Sequence, residues 1–168
     1  MEDVAFIKTP LGIAKITGSS EGLSSIIVLD SKEPLTDIIP ESLEDAVYQL
    51  NEYFEGIRTE FQLDLNPEGT EFQKKVWLEL QNIPYGRTAS YMELSKLIGD
   101  PKAIRAVGSA NGRNPLWIVV PCHRAYSKTL IFKSYKKDYL VCSISEKLLS
   151  QQVNVLSSIK VSFPSPFF

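Results

Sequence analysis

Four residues near the middle of the chain, Asn66-Pro67-Glu68-Gly69, forbid any single regular element from crossing them. Proline offers no backbone donor and glycine loosens the backbone, so a helix or a sheet ladder stops there. The period of the apolar residues changes at the same place. Before it, residues 4–8, 13–17 and 23–29 are short β-rich runs separated by Pro10-Leu11-Gly12 and by residues 18–22, which predicts a small antiparallel meander. Leu43, Ala46, Val47, Leu50 and Phe54 then recur at helical spacing, with Ser42 and Asp45 read as a capping box and Gly56 as a stop. Residues 61–65 predict one further strand.

After the break the pattern is helical. Phe72, Val76 and Leu80 share one face of a helix that starts at Thr70 and ends before Pro84-Tyr85-Gly86. Ser90 and Glu93 form a capping box for a second helix, with Tyr91, Leu94 and Ile98 on one face and Gly99 closing it. Asp100 is read as the cap of a third helix, with Pro101 in its first position, running through Ala103, Ile104 and Val107 to Ala110. Two short helices joined at a glycine fit a helix-turn-helix and a plain αα-hairpin equally well. The division predicts two domains, 1–66 and 67–168.

Composition narrows the function classes. The 168 residues, 43% of them hydrophobic, can bury a core without disulfide staples. A formal charge of -2 excludes a protein that coats nucleic acid by overall basicity, so any such contact is local. No apolar run reaches the roughly 18 residues of a membrane span, and Glu2 and Asp3 stand where a signal peptide would be basic. A soluble cytoplasmic protein without membrane partners is expected. Two cysteines and one histidine are too few for an ordinary zinc site, so no metal is expected.

The chemistry-bearing residues gather at one place. Residues 116–120 form a continuous apolar run that predicts a buried strand, and it delivers the chain to Pro121-Cys122-His123-Arg124. A thiol with positive neighbours is biased toward thiolate, whereas a lone buried cysteine is commonly inert packing. Adjacent Cys and His in extended chain point apart, which argues against a protease-like dyad.

Residues 72–124, with Ile83-Pro84-Tyr85-Gly86, Thr88-Ala89-Ser90-Tyr91, Ala103-Ile104-Arg105-Ala106-Val107-Gly108, Asn114-Pro115 and Pro121-Cys122-His123-Arg124, resemble the O6-alkylguanine-DNA alkyltransferases. The resemblance implies an α+β/α/β fold: a small N-terminal strand-plus-helix domain, then a C-terminal helix-turn-helix, winged-helix-like domain. It implies DNA repair by one irreversible transfer of a methyl or larger alkyl group from O6-alkylguanine, with O4-alkylthymine a second candidate, to Cys122. It implies no cofactor, a monomer, and double-stranded DNA containing alkylated guanine as partner. His123 would be the base acting through a water, and Tyr91 would protonate the leaving base and rotate the phosphate backbone. Arg105 would enter the stack in place of the extruded guanine, with Ala106 and Ser109 beside it on a helix in the minor groove, and Arg124 would also contact DNA. Asn114 would bend the chain before the active site, and Pro121 and Tyr135 would belong to the substrate pocket. The ordinary alternatives are core packing for Tyr91, a solvated charge for Arg105 and a simple loop residue for Asn114.

The resemblance weakens after Arg124. All nine glycines lie at or before Gly112, and Lys137-Asp138 stand where the family has paired glycines. Gln151 and Gln152 lie near the glutamate that completes the family's relay, so no relay carboxylate is transferred. A tail read in a shifted frame, or an alternative terminus, would explain this divergence over 124–168. A helix over 144–156 and a packed thiol at Cys142 are the remaining expectations there. A lesion binder that does not transfer alkyl groups is the second reading. A helix-turn-helix regulator is disfavoured by the small residues of the third helix.

Overall fold

The structure, a computed structural model, describes residues 2–29 and 33–127. Tyr135, Cys142, Gln151, Gln152, the predicted helix over 144–156 and the rest of the divergent tail beyond residue 127 lie outside the described residues. Alternation over the first segment builds three antiparallel strands, β1 (Asp3–Thr9), β2 (Gly12–Ser19) and β3 (Gly22–Leu29), in the order β1-β2-β3. One face buries Ala5, Ile7, Ala14, Ile16 and Ile26. Helix α1 (Glu41–Phe54) covers it with Leu43, Ala46, Leu50 and Tyr53. These are the elements that the periodicity predicts.

Two local details differ. Ser42 does not cap α1; the N-cap is Pro40, and the Ser42 hydroxyl donates to Asp3 Oδ2 at 2.6 Å, a partner that only the folded sheet provides. Residues 61–65 do not form a strand. The Gln49 side chain, buried on α1, donates to the Gln62 carbonyl at 2.9 Å and accepts from the Gln62 N–H at 2.8 Å, so a side chain takes the bonds a strand partner would have taken. Only Leu65 pairs, in an isolated parallel bridge to Leu23 on the free edge of β3.

The second segment supplies α2 (Glu71–Gln81), α3 (Tyr91–Leu97) and α4 (Ile104–Gly112). Thr70 with Gln73 and Ser90 with Glu93 form complete capping boxes, the latter as predicted. Gly99, at φ 86, turns the chain between α3 and α4 in a conformation that a side chain disfavours. Asp100 does not cap α4. Its carboxylate accepts from the Lys102 N–H at 3.0 Å and its carbonyl from the Ala103 N–H at 3.0 Å, so residues 100–103 form a separate turn and α4 starts at Ile104. The two-residue strands β4 (Ala89–Ser90), just before α3, and β5 (Ala125–Tyr126), beyond α4, pair in parallel.

Residues 116–120 are buried as expected but are not a strand. The run folds back on itself: Leu116 bridges to Ile26, Trp117 bridges to Val120, and Ile118 stands at φ 75. A β-branched residue in the left-handed region is strained by roughly 1–2 kcal/mol, so the surroundings must hold it there. The bend joins the two segments. Ile26 on β3 donates its N–H to the Pro115 carbonyl at 2.8 Å and accepts from the Trp117 N–H at 3.2 Å, and the buried side chains of both segments form one core.

Candidate active site

The bend before Cys122 is organised by one side chain. Asn114, 4% exposed, accepts from the Leu116 N–H at 3.0 Å and donates to the carbonyls of Leu116 at 3.2 Å and Val120 at 2.9 Å. This single amide satisfies the Leu116 N–H, which the fold-back would leave unpaired in a dry interior at a cost of roughly 1–3 kcal/mol, and adds a second bond to two carbonyls that also accept from the Val120 and Cys122 N–H groups. Pro121 then leads into a 3-10 turn, Cys122–Arg124, with Cys122 N–H bonded to the Val120 carbonyl at 2.8 Å.

The environment of Cys122 is unlike the one its neighbours suggest. The residue is 5% exposed, and burial pushes its thiol pKa up, with hydrogen bonds from Asn114 and the backbone offsetting part of that rise. His123 is also buried, which holds its imidazole down at about 4, so at neutral pH it is uncharged. Its Nε2 has no hydrogen-bond partner among the described residues. Arg124 is not among the groups that shift the Cys122 thiol, and it is buried. It is 8% exposed, donates through Nη1 to the Ile83 carbonyl at 2.9 Å, reaches the Tyr53 hydroxyl at 3.5 Å and stacks 5.5 Å from the centre of the Tyr85 ring. Arg124, expected from the sequence to contact DNA, is thus engaged by partners within the chain. A buried arginine needs partners more than it needs solvent, and these are supplied from α1 and the α2–α3 loop.

Tyr91 and α4 form the second part of the region. Arg105, Ala106 and Ser109 are exposed on one side of α4, while Val107, Ala110 and Asn111 face the core. Tyr91, the first residue of α3, lays its ring against Gly108; a Cβ at that position would stand 3.1 Å from Tyr91 Cε2. Asn111 donates from Nδ2 to the Tyr91 hydroxyl at 3.3 Å. Trp77 on α2 donates from Nε1 to the Ala110 carbonyl at 2.9 Å. Gly108, Asn111 and Trp77 are absent from the sequence-based site. A glycine inside a helical pattern does signal close approach, but nothing in the pattern distinguishes Asn111 from any polar residue near a helix end.

A cleft of about 200 Å³ lies between residues 59–65 and the α2–α3 loop; Pro121, Tyr85 and Arg124 line it, and Cys122 does not. Among the described residues no group of three or more His, Cys, Asp or Glu could hold a metal, and no helix is long and apolar enough to cross a membrane.

Comparison with known proteins covers both segments. Residues 4–67 match the model of the 6-O-methylguanine DNA methyltransferase ribonuclease-like domain, and residues 71–151 that of the 6-O-methylguanine DNA methyltransferase DNA binding domain. The second match extends past Arg124. A methylated-DNA--protein-cysteine methyltransferase of Methanosarcina acetivorans is 45% identical over 127 residues, covering 71% of this chain and 80% of that protein. The crystal structure of the Mycobacterium tuberculosis O6-methylguanine methyltransferase superposes with a TM-score of 0.78 at 36% identity, covering 92% of this chain and 94% of that one. The Mycobacterium tuberculosis protein in complex with DNA gives 0.68 at 38% identity, with 86% and 93% covered.

Proposed function

The chain belongs to the 6-O-methylguanine DNA methyltransferase family, and from that membership we propose that it repairs DNA by moving an alkyl group from guanine O6 to Cys122. The sulfur attacks the alkyl carbon, the bond from that carbon to O6 breaks, and guanine leaves with the bonding pair and takes up a proton. The thioether on Cys122 is not reversed, so each chain acts once. Double-stranded DNA carrying the alkylated base is the partner, the protein acts as a monomer in the cytoplasm, and the segments 1–66 and 67–168 act as two domains.

One observation carries the reading: a buried sulfur at the end of a loop held by Asn114, in the unit that also exposes Arg105, Ala106 and Ser109 on a short helix. A sulfur 5% exposed cannot reach a base stacked in a duplex, so the base has to leave the stack. Arg105 fills the gap, Ala106 and Ser109 allow close approach to the groove, and Tyr91 serves the leaving base. His123 accepts the thiol proton. Its neutral form is the competent one, and its unpartnered Nε2 offers a place for that proton or for a bridging water.

The raised thiol does not defeat this mechanism. A thiol near pKa 8.5 is a few per cent ionised at neutral pH, so complete ionisation gains about 30-fold, or roughly 2 kcal/mol, and the burial of Cys122 adds to that figure. Holding the reacting atoms in line contributes about 7–11 kcal/mol, and that is what a fixed loop supplies. Intact mass after incubation with O6-methylguanine DNA tests the proposal. A gain of one methyl per chain, absent in Cys122→Ser, is the expected result. Lesion binding with no change of mass would leave the chain a lesion binder and overturn the transfer reaction.

A further inference from the structure

We infer that Lys75 is a positioning residue for duplex DNA: from α2 it holds the α3–α4 turn, and so sets the angle at which α4 offers its exposed face. This rests on the proposed role of α4. Two residues of α2 reach the ends of the two following helices. Trp77, 3% exposed, bonds to the Ala110 carbonyl in the last turn of α4, and Lys75 donates from Nζ to the Ile98 carbonyl at 2.8 Å, at the C-cap of α3. Carbonyls at helix ends lack intrahelical partners, and an ammonium is favoured there by the negative end of the helix dipole.

The two attachments are not equivalent. The far end of α4 is gripped inside the core. Its near end has no side-chain cap, because the N-cap is Ala103. What precedes it is the Gly99 reversal and the turn 100–103, whose link back to α3 is made by local bonds, Gly99 N–H to the Lys96 carbonyl at 3.1 Å and Asp100 N–H to the Ser95 carbonyl at 3.0 Å. Lys75 adds a hydrogen bond from another element at this reversal, beside the core packing of Ile98 and Ala103, and Arg105 stands in the first turn of α4, immediately after it. Loss of the ammonium loosens the end of α4 that carries the stack-entering residue and leaves the buried end in place.

Fluorescence anisotropy with an unmodified duplex tests the inference without requiring chemistry. Lys75→Met is expected to raise Kd about five-fold, the effect of one charge-assisted hydrogen bond only partly transmitted to binding, with the unfolding midpoint little changed. Lys75→Arg, which keeps a cationic donor, should stay within about two-fold of the natural chain. The slope of log Kd against log salt separates positioning from direct contact. A positioning residue leaves it unchanged, whereas loss of a phosphate contact lowers its magnitude by about one. A lowered slope, an unchanged Kd for Lys75→Met, or an equal loss for Lys75→Arg each overturns the inference. A natural chain that fails to bind the duplex at all overturns the proposed function and this inference together.

Discussion

The surroundings of Cys122 and the outer face of α4 are built on opposite principles. Around the sulfur, Asn114, His123 and Arg124 are buried polar groups, and the backbone is bent through Ile118 into a conformation that only its neighbours can hold. On the outer face of α4 the side chains of Arg105, Ala106 and Ser109 are short or solvated and contribute little to the fold. The contrast teaches that acceptance of the alkyl group depends on rigidity, whereas presentation to DNA depends on an uncluttered surface. Substitutions in the first region should therefore cost stability and transfer together, and those in the second should cost transfer alone.

Asn114→Ala is the strongest way to break this division. It strands the Leu116 N–H and takes one of two hydrogen bonds from each of the Leu116 and Val120 carbonyls, and denaturant unfolding should show a loss of about 4 kcal/mol, with transfer in a single-turnover assay reduced at least as far. Acid should have the next largest effect. His123 titrates at about 4 in the folded chain and at about 6.5 when unfolded, so the unfolded chain binds the extra proton between those values. The stabilisation is complete above pH 6.5 and falls as pH drops toward 4, by about 3 kcal/mol; denaturant midpoints measured across this window should show the fall, and His123→Asn should flatten it. The thiol titrates in the other direction: because burial raises it, the transfer rate should climb with pH above neutrality.

Arg105→Ala sharpens the other side of the comparison. Stability should move by no more than about 0.5 kcal/mol, while transfer from duplex DNA falls about 30-fold and transfer from a single strand, which needs little unstacking, changes far less. Equal losses on the two substrates would remove the stack-entering role. The smallest effect belongs to the seam between the regions. Gly108→Ala places a methyl 3.1 Å from the Tyr91 ring, and a shift of a few tenths of an ångström should cost about 1 kcal/mol in unfolding and slow transfer several-fold.

The legible parts of this chain are those where one local rule suffices. The meander, the faces of α1 to α3 and the Ser90–Glu93 box follow from periodicity and from a side chain that bonds within its own turn. The illegible parts depend on partners far along the chain. An apolar run such as 116–120 records burial but not direction, so its fold-back is invisible without Asn114 and the edge of β3. Arg124 reads as a surface charge until Ile83 and Tyr53 are placed beside it. Ser42 and Asp100 satisfy capping rules on paper, but Asp3 and a separate turn claim their oxygens. The motif around Cys122 locates the chemistry, and the sequence does not reveal that its thiol is raised and its imidazole uncharged.

The attachment of the reactive loop to Ile26 is made through main-chain groups alone, N–H to the Pro115 carbonyl and carbonyl to the Trp117 N–H. Such a joint is blind to side-chain identity: any residue except proline can make it, provided the strand keeps its edge open and its register. The exposed residues of the first segment can therefore exchange charge without disturbing the thiol that the segment braces. What evolution cannot vary there is a length, the number of residues between the hairpin turn at 20–21 and the rung at Ile26, since one insertion would move the rung and carry the nucleophile out of line.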